Sequence, residues 1–295
     1  MKNNVCGIIM AGGKGTRLSP ITNSANKHIL PVYNKPMIYY PLSVLLLNKI
    51  KKILVITNKN EISSFKKILG NGSRFGVKIS YKAQSNANGI TDGLIISKKF
   101  IKDDDVFLIL GDNIMFGSGM SEFFNHIWET DNSTIYPYIV SDPERSGVVV
   151  FKKNKIDKIV EKPKKFISEW IVTGLYFIKN FDLQLTDLIQ PSKRNELEIT
   201  DFLSNINKYS NLSFKKIGRG YSWNDVGTFE SLIECANLIY NIEKKQGLEI
   251  SSPDEVAYRK KLISEEKFKK NINFFLGSSY AEYLNSILDK DKQEN

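Results

Sequence analysis

The residues best suited to chemistry come early. Gly12-Gly13-Lys14-Gly15-Thr16-Arg17-Leu18 follows directly on the apolar stretch Val5-Cys6-Gly7-Ile8-Ile9-Met10. A glycine-rich loop after a first strand lets backbone N–H groups approach an anion, usually a phosphate, because no Cβ stands in the way. Two familiar loops are excluded. The dinucleotide fingerprint needs a third glycine where Leu18 stands, and no Gly-Lys-Ser/Thr follows a four-residue gap. Arg17, just after the loop, and Lys27, in the next segment, are cations that could neutralise a polyphosphate. The same run is compatible with a tight turn that holds no ligand. Two carboxylates, Asp112 and Asp225, fall in turn-like settings at the ends of apolar strands, where loop capping is the plainer role. Lys162, in the turn Glu161-Lys162-Pro163, reads by itself as a solvated surface residue.

These residues need a frame. Apolar runs at 5–10, 52–57, 77–81 and 106–110 read as strands, and 37–48, 61–69 and 89–99 read as helices between them. That alternation indicates a parallel sheet with helices on both faces. Gly111-Asp112-Asn113 lies just past a strand's carboxyl end, the edge at which open α/β sheets bind ligands. Further strands are expected at 134–140, 147–152, 156–161, 171–178 and 212–217, some antiparallel because their spacings are short. A long helix is expected over 227–244, helices follow from 251, and the polar end 289–295 is expected to fray. The fold class is therefore α/β: a Rossmann-like, mostly parallel mixed sheet flanked by helices, with a helical C-terminal extension. The division expected is 1–245 for the α/β domain and 246–295 for the extension.

Composition narrows the options. The 295 residues are 41% hydrophobic and 11% aromatic, enough for a core, so wholesale disorder is excluded. No run of about 18 apolar residues exists, which excludes a membrane-spanning helix. The N-terminal apolar run ends in glycines, so no signal peptide is read. The two cysteines, Cys6 and Cys235, lack metal-ligand spacing and fit reduced, buried thiols of a cytoplasmic protein. The net charge of +10 comes from 42 Lys+Arg against 32 Asp+Glu. Arginine is scarce and lysine is scattered, which argues against a nucleic-acid partner.

The glycine loop, then Lys27-x-Ile29-Leu30-Pro31-Val32-Tyr33-x-Lys35-Pro36-Met37-Ile38-Tyr39-Tyr40-Pro41-Leu42-Ser43, resembles the sugar-1-phosphate nucleotidyltransferases. The Lys-Pro-Met-Ile-Tyr-Tyr-Pro-Leu-Ser run marks the thymidylyl branch. Leu110-Gly111-Asp112-Asn113, Asp142-Pro143-Glu144-Arg145, Glu161-Lys162-Pro163 and Val172-Thr173-Gly174-Leu175-Tyr176-Phe177 continue the match. Glu196-Leu197-Glu198-Ile199-Thr200-Asp201, Gly218-Arg219-Gly220-Tyr221-x-Trp223, Asp225-x-Gly227-Thr228, Gln246-Gly247-Leu248 and Ala257-Tyr258-Arg259 complete it. The resemblance spans nearly the whole chain, in order.

It implies Mg²⁺-dependent transfer of a thymidylyl group from dTTP to glucose 1-phosphate, with pyrophosphate released. Arg17, Lys27 and Asp112 would be catalytic, and Asp112 and Asp225 would hold Mg²⁺. Gly12, Gly13, Gly15, Thr16, Gln84 and Gly89 would bind the nucleotide. Gly147, Glu161, Lys162, Val172 and Arg194 would bind the sugar phosphate. The amide of Gln84 offers both a donor and an acceptor, which suits an imide base. A homotetramer, inhibited by a downstream dTDP-sugar at a second site, is also implied, with the extension contributing to assembly and no membrane partner.

Some positions depart from the family pattern. His28 stands where glutamine is usual, and its place beside the triphosphate predicts a pH dependence near neutrality. His126 reads as structural. Asn34 replaces an aspartate, and Thr91-Asp92 replaces Ala-Gln. Ser146 replaces a tyrosine and opens space beside the sugar. Two rival readings follow: an enzyme for another hexose 1-phosphate or for UTP, and a catalytically silent protein that binds nucleotide sugars.

Overall fold

The computed structural model describes residues 4–13, 15–86 and 88–294. Lys14 of the glycine run and Asn295 of the polar end lie outside them. The strands are Val5–Met10 (β1), Pro31–Val32 (β2), Lys35–Pro36 (β3), Lys52–Thr57 (β4), Lys78–Ala83 (β5), Asp105–Leu110 (β6) and Asn113–Gly117 (β7). Thr134–Ile139 (β8), Gly147–Lys152 (β9), Lys155–Glu161 (β10), Trp170–Ile178 (β11), Ser213–Phe214 (β12) and Tyr221–Asp225 (β13) follow. The helices are Tyr39–Leu47 (α1), Ile62–Leu69 (α2), Ile90–Ile101 (α3), Met120–Phe124 (α4), Ile199–Tyr209 (α5), Phe229–Gln246 (α6), Pro253–Arg259 (α7), Glu265–Phe274 (α8) and Ser279–Glu294 (α9).

The main sheet runs β10-β9-β11-β6-β1-β4-β5, with β8 and β12 attached beside β11. The pairs β6-β1, β1-β4 and β4-β5 are parallel, whereas β11 runs antiparallel to β6, β8 and β9. The reason is visible in β1. Its successive side chains alternate between two cores: Val5 and Ile9 join Phe107, Ile109 and Val55, while Cys6, Ile8 and Met10 join Leu54, Ile56 and Leu108. A strand covered on both faces must be apolar throughout, hence the unbroken run in the sequence. Gly7 is required by the layer above: a Cβ there would lie 2.7 Å from Leu45 of α1. The expected α/β architecture is thus present, with helical layers over a mostly parallel mixed sheet.

Two local expectations need correction, and one element goes beyond them. The strand expected over 212–217 is only the two residues of β12, although Lys215 and Ile217 still donate to Ile135 and Pro137 (2.9 and 2.8 Å). Its partner β8 carries Pro137, which has no N–H to return to the ladder. The polar end from Asp289 is helical rather than irregular, since α9 continues to Glu294. Its buried Leu284, Ile287 and Leu288 pack on Phe268 and Ile272 of α8. The ribbon of β7 and β13 was not expected at all. It turns back from the sheet immediately after β6, pairing Asn113 with Asp225 and Gly117 with Tyr221.

Beyond α6, α7 packs on α1. The carboxylate of Asp254 is fully buried and accepts from Asn271 (2.9 Å) and Tyr280 (3.1 Å), with Arg74 3.4 Å away. Among the described residues no helix is long and apolar enough to cross a membrane. Cys6 and Cys235 are free and buried, as expected, and burial pushes both thiols up to about 12.

Candidate active site

A cavity of about 360 Å³ opens at the carboxyl ends of β1 and β6. Gly12, Gly13, Arg17, Lys27, Gln84, Gly89, Asp112, Gly147, Glu161, Lys162, Val172, Arg194 and Asp225 all line it. Gly15 and Thr16 do not. Gly15 instead sits behind the loop at φ +59°, where a Cβ would lie 2.9 Å from Thr22. Gly13, at φ +95°, makes the turn that residues with a side chain resist.

The two carboxylates are brought together by the ribbon. Asp225 ends β13 opposite Asn113, and Val226 N–H donates to the Asp112 carbonyl at 2.9 Å. Asp225 is therefore a strand residue rather than a turn residue. Desolvation by the surrounding cavity wall, and then the neighbouring Asp112 charge, push Asp225 up to about 6. Burial works the same way on Asp112, but the Lys27 ammonium is hydrogen-bonded to it and holds its carboxyl below the usual range. Arg17 reaches the same corner: a Cβ on Gly227, just past Asp225, would lie 2.8 Å from its guanidinium. Two hard-oxygen ligands at one corner, Asp112 half-buried and Asp225 reaching the open cavity, fit a divalent cation. Mg²⁺ commonly takes one or two carboxylates plus phosphate oxygens and water. No cluster of three potential ligands occurs among the described residues, so phosphate oxygens and water would complete the shell.

Asn113 holds this corner in place, a role that sequence reasoning missed. Its Oδ1 accepts from Gly174 N–H and from the Trp223 indole, both at 2.8 Å, while its Nδ2 donates to Asp112 at 3.2 Å. Gly174 has to be glycine, since a Cβ there would sit 2.4 Å from that oxygen. The signal was present in the motif Leu110-Gly111-Asp112-Asn113, but an asparagine beside an aspartate reads as a turn.

A second group of lining residues is cationic and acidic together. Arg194 contacts Glu198 (2.8 Å), Glu161 (3.0 Å) and Glu196 (3.5 Å). The Lys162 ammonium lies 3.5 Å from Glu161. Gly147 pairs with Glu161 across β9 and β10. Its missing Cβ leaves room for Thr200, whose hydroxyl donates to Glu161 at 3.2 Å. Glu196, Glu198 and Thr200 are further residues the sequence reading did not single out, although they lie in a quoted motif. Ser146 also lines this end.

His28 overturns one expectation. It is 1% exposed, and its Nδ1 donates to Asn26 Oδ1 at 2.7 Å. Burial and the adjacent Lys27 charge push it down to about 3, so it stays neutral and does not titrate near neutrality. Its ring packs over Gly111, where a Cβ would lie 2.6 Å away. His126 has a packing role as expected, with its ring nitrogens near Phe123 O and Tyr136 Oη, each at 3.2 Å.

A cavity at the carboxyl edge of a mostly parallel sheet, lined by paired carboxylates and five cations (Arg17, Lys27, Arg145, Lys162 and Arg194), is suited to phosphoryl transfer. The chain belongs to the nucleotidyl transferase family, whose model matches residues 6–241. It is 43% identical over 286 residues to the glucose-1-phosphate thymidylyltransferase of Neisseria meningitidis, covering 96% of this chain and 99% of that one. The enzyme of that name from Mycobacterium tuberculosis is 37% identical over 286 residues, covering 97% and 99%. A Bacillus anthracis protein provisionally assigned the same activity, solved in complex with sucrose, matches with a TM-score of 0.73. It is 36% identical and covers 79% of this chain and 94% of its own. A UDP-glucose pyrophosphorylase bound to UDP-glucose shares the fold, with a TM-score of 0.71 at 22% identity, covering 82% and 100%.

Proposed function

We propose that the protein transfers a thymidylyl group from dTTP to glucose 1-phosphate, giving dTDP-glucose and pyrophosphate, and that it works in the cytoplasm. The observation that carries this reading is that Arg17, Lys27, Asp112, Asp225, Glu161, Lys162 and Arg194 all line one cavity. A phosphate oxygen of the sugar attacks the α-phosphorus, and the bond to the bridging oxygen of pyrophosphate breaks. The nucleophile is already an anion, so no strong general base is required. The difficulty is Coulomb repulsion between two polyanions, and positioned cations remove it.

Each residue then has a task. Arg17 and Lys27 bind the triphosphate and the charge that develops on pyrophosphate, along the backbone of Gly12 and Gly13. Asp112 and Asp225 would hold Mg²⁺, which supplies charge neutralisation on the phosphates when bound. Lys27, which is paired with Asp112, would lie beside the phosphates. Gln84 and Gly89 contact the base. Lys162 and Arg194 grip the sugar phosphate, and Glu161, Glu196 and Glu198 position the Arg194 guanidinium. Glu161 accepts from sugar hydroxyls, beside Gly147 and Val172.

The 246–295 segment is proposed as part of a homotetramer interface. A second cavity of about 940 Å³ lies between the β7-β13 ribbon and α7, lined by Arg219, Tyr221 and Glu255 among others. It offers the space a feedback-inhibiting dTDP-sugar would need.

The test is pyrophosphate release with Mg²⁺ and dTTP, comparing glucose 1-phosphate with other hexose 1-phosphates. Fast release with glucose 1-phosphate, abolished in Asp112→Asn, is expected. Turnover of another sugar alone would shift the reading to the rival that Ser146 motivates. Binding of dTTP with no release from any sugar phosphate would mean a silent nucleotide-sugar-binding protein.

A further inference from the structure

Gln84 follows β5, lines the cavity and is 6% exposed. Its backbone N–H donates to Thr57 O at 2.9 Å, which fixes where the side chain starts. An amide side chain can be turned over, exchanging its donor and acceptor ends at almost no steric cost. Here two neighbours forbid that. The amide nitrogen is 2.7 Å from Asp92 Oδ2 and 3.1 Å from the Gly89 carbonyl. A carboxylate and a carbonyl only accept, so only the NH₂ end can face them. The Oε1 end is then held on the other side, toward Gly12, where a Cβ would come within 3.3 Å of it. Asp92 comes from the first turn of α3, a position that favours an anion.

The geometry points to Asp92 as the positioning residue that sets base selectivity, by locking Gln84 with its acceptor toward the base. This rests on the reading that Gln84 faces the base of a bound nucleotide. A fixed acceptor selects a base whose ring nitrogen carries a proton. The imide N–H of thymine or uracil donates to it. Cytosine presents an unprotonated ring nitrogen at the same place, and two acceptors then face each other without a proton between them. The lock therefore admits dTTP and UTP alike and rejects dCTP. It makes no distinction at the 5-methyl group. The Asp92 carboxylate dominates the choice over the Gly89 carbonyl because hydrogen bonds to charged acceptors are roughly twice as strong as neutral ones.

The test is nucleotide binding by calorimetry, with dTTP, UTP and dCTP on the full chain. The proteins compared are wild type, Asp92→Ala, Asp92→Asn and Gln84→Ala. In Asp92→Ala the preference for dTTP over dCTP should fall about tenfold, the size of one hydrogen bond lost. Asp92→Asn, which keeps an acceptor oxygen, should recover part of it. Steady-state turnover should show the same loss in KM for dTTP, with kcat and the KM for glucose 1-phosphate little changed. A purely structural role for Asp92 would weaken dTTP and dCTP equally, and that result overturns the inference. So does loss of discrimination in Gln84→Ala alone, which would leave the orientation to Gly89. Absence of dTTP preference in the wild type overturns it too. The binding readout separates this inference from the proposed reaction: an Asp92-dependent imide preference in a protein that releases no pyrophosphate keeps the inference and rejects the reaction.

Discussion

Asn113 offers the sharpest check on how the carboxylate corner is built. Replacing it with alanine removes one oxygen that serves two buried donors, Gly174 N–H and the Trp223 indole. Both hydrogen bonds are 2.8 Å long, and Asn113 is 3% exposed. Each orphaned donor should cost about 1–2 kcal/mol, so Asn113→Ala should lose roughly 2–4 kcal/mol of folding stability. Trp223→Phe removes one donor and leaves Gly174 paired, so it should cost less, about 1 kcal/mol. Because the two residues share a hydrogen bond, the double variant should show a coupling energy of at least about 0.5 kcal/mol. Urea denaturation of the four proteins measures all three values. Activity should fall as well, since the same side chain donates to Asp112 and ties β7 to both β11 and β13. An Asn113→Ala loss below about 1 kcal/mol, or strictly additive losses, would refute the reasoning.

Three further outcomes are expected. His28→Gln should leave the pH profile of pyrophosphate release unchanged between pH 6 and 8, because the buried imidazole is already neutral there; a displaced profile would show that it titrates. Glu249, pushed up to about 7 by burial despite Lys35 at 3.1 Å, binds its proton more tightly folded than unfolded. Its contribution to stability is therefore greatest at low pH and is lost as pH rises from about 4.5 to 7, by up to about 3 kcal/mol. Glu249→Gln should flatten that slope in denaturation at pH 5 and 7.5, and identical slopes would reject the assignment. Gly227→Ala forces the Arg17 guanidinium aside, where a Cβ would come within 2.8 Å. It should lower kcat/KM for dTTP by about 10- to 100-fold with an unchanged melting temperature, and an unaltered kcat/KM would show that Arg17 is not placed by this contact.

The strands at 5–10, 52–57 and 106–110 were legible because strands buried on both faces must be continuously apolar. α1 was legible for the same reason: every residue from Tyr39 to Leu46 is buried. The cationic and acidic residues that line the cavity were legible as candidates through motif order along the chain. Asn113, Trp223 and the β7-β13 ribbon were not. Asn113–Gly117 is short and begins with a polar residue, and its partner strand lies more than a hundred residues away. Nothing local specifies such a pairing. The sequence also suggested a titrating histidine at 28, and burial reversed that. The sequence by itself determined which groups are available and where the local strands and helices form, because those depend on side-chain type and period. The tertiary structure alone decided which groups face each other, and so which carboxylate is raised, which histidine stays neutral and which way the Gln84 amide points. Those properties depend on burial and on neighbours distant in the chain, and neither is encoded within any one segment.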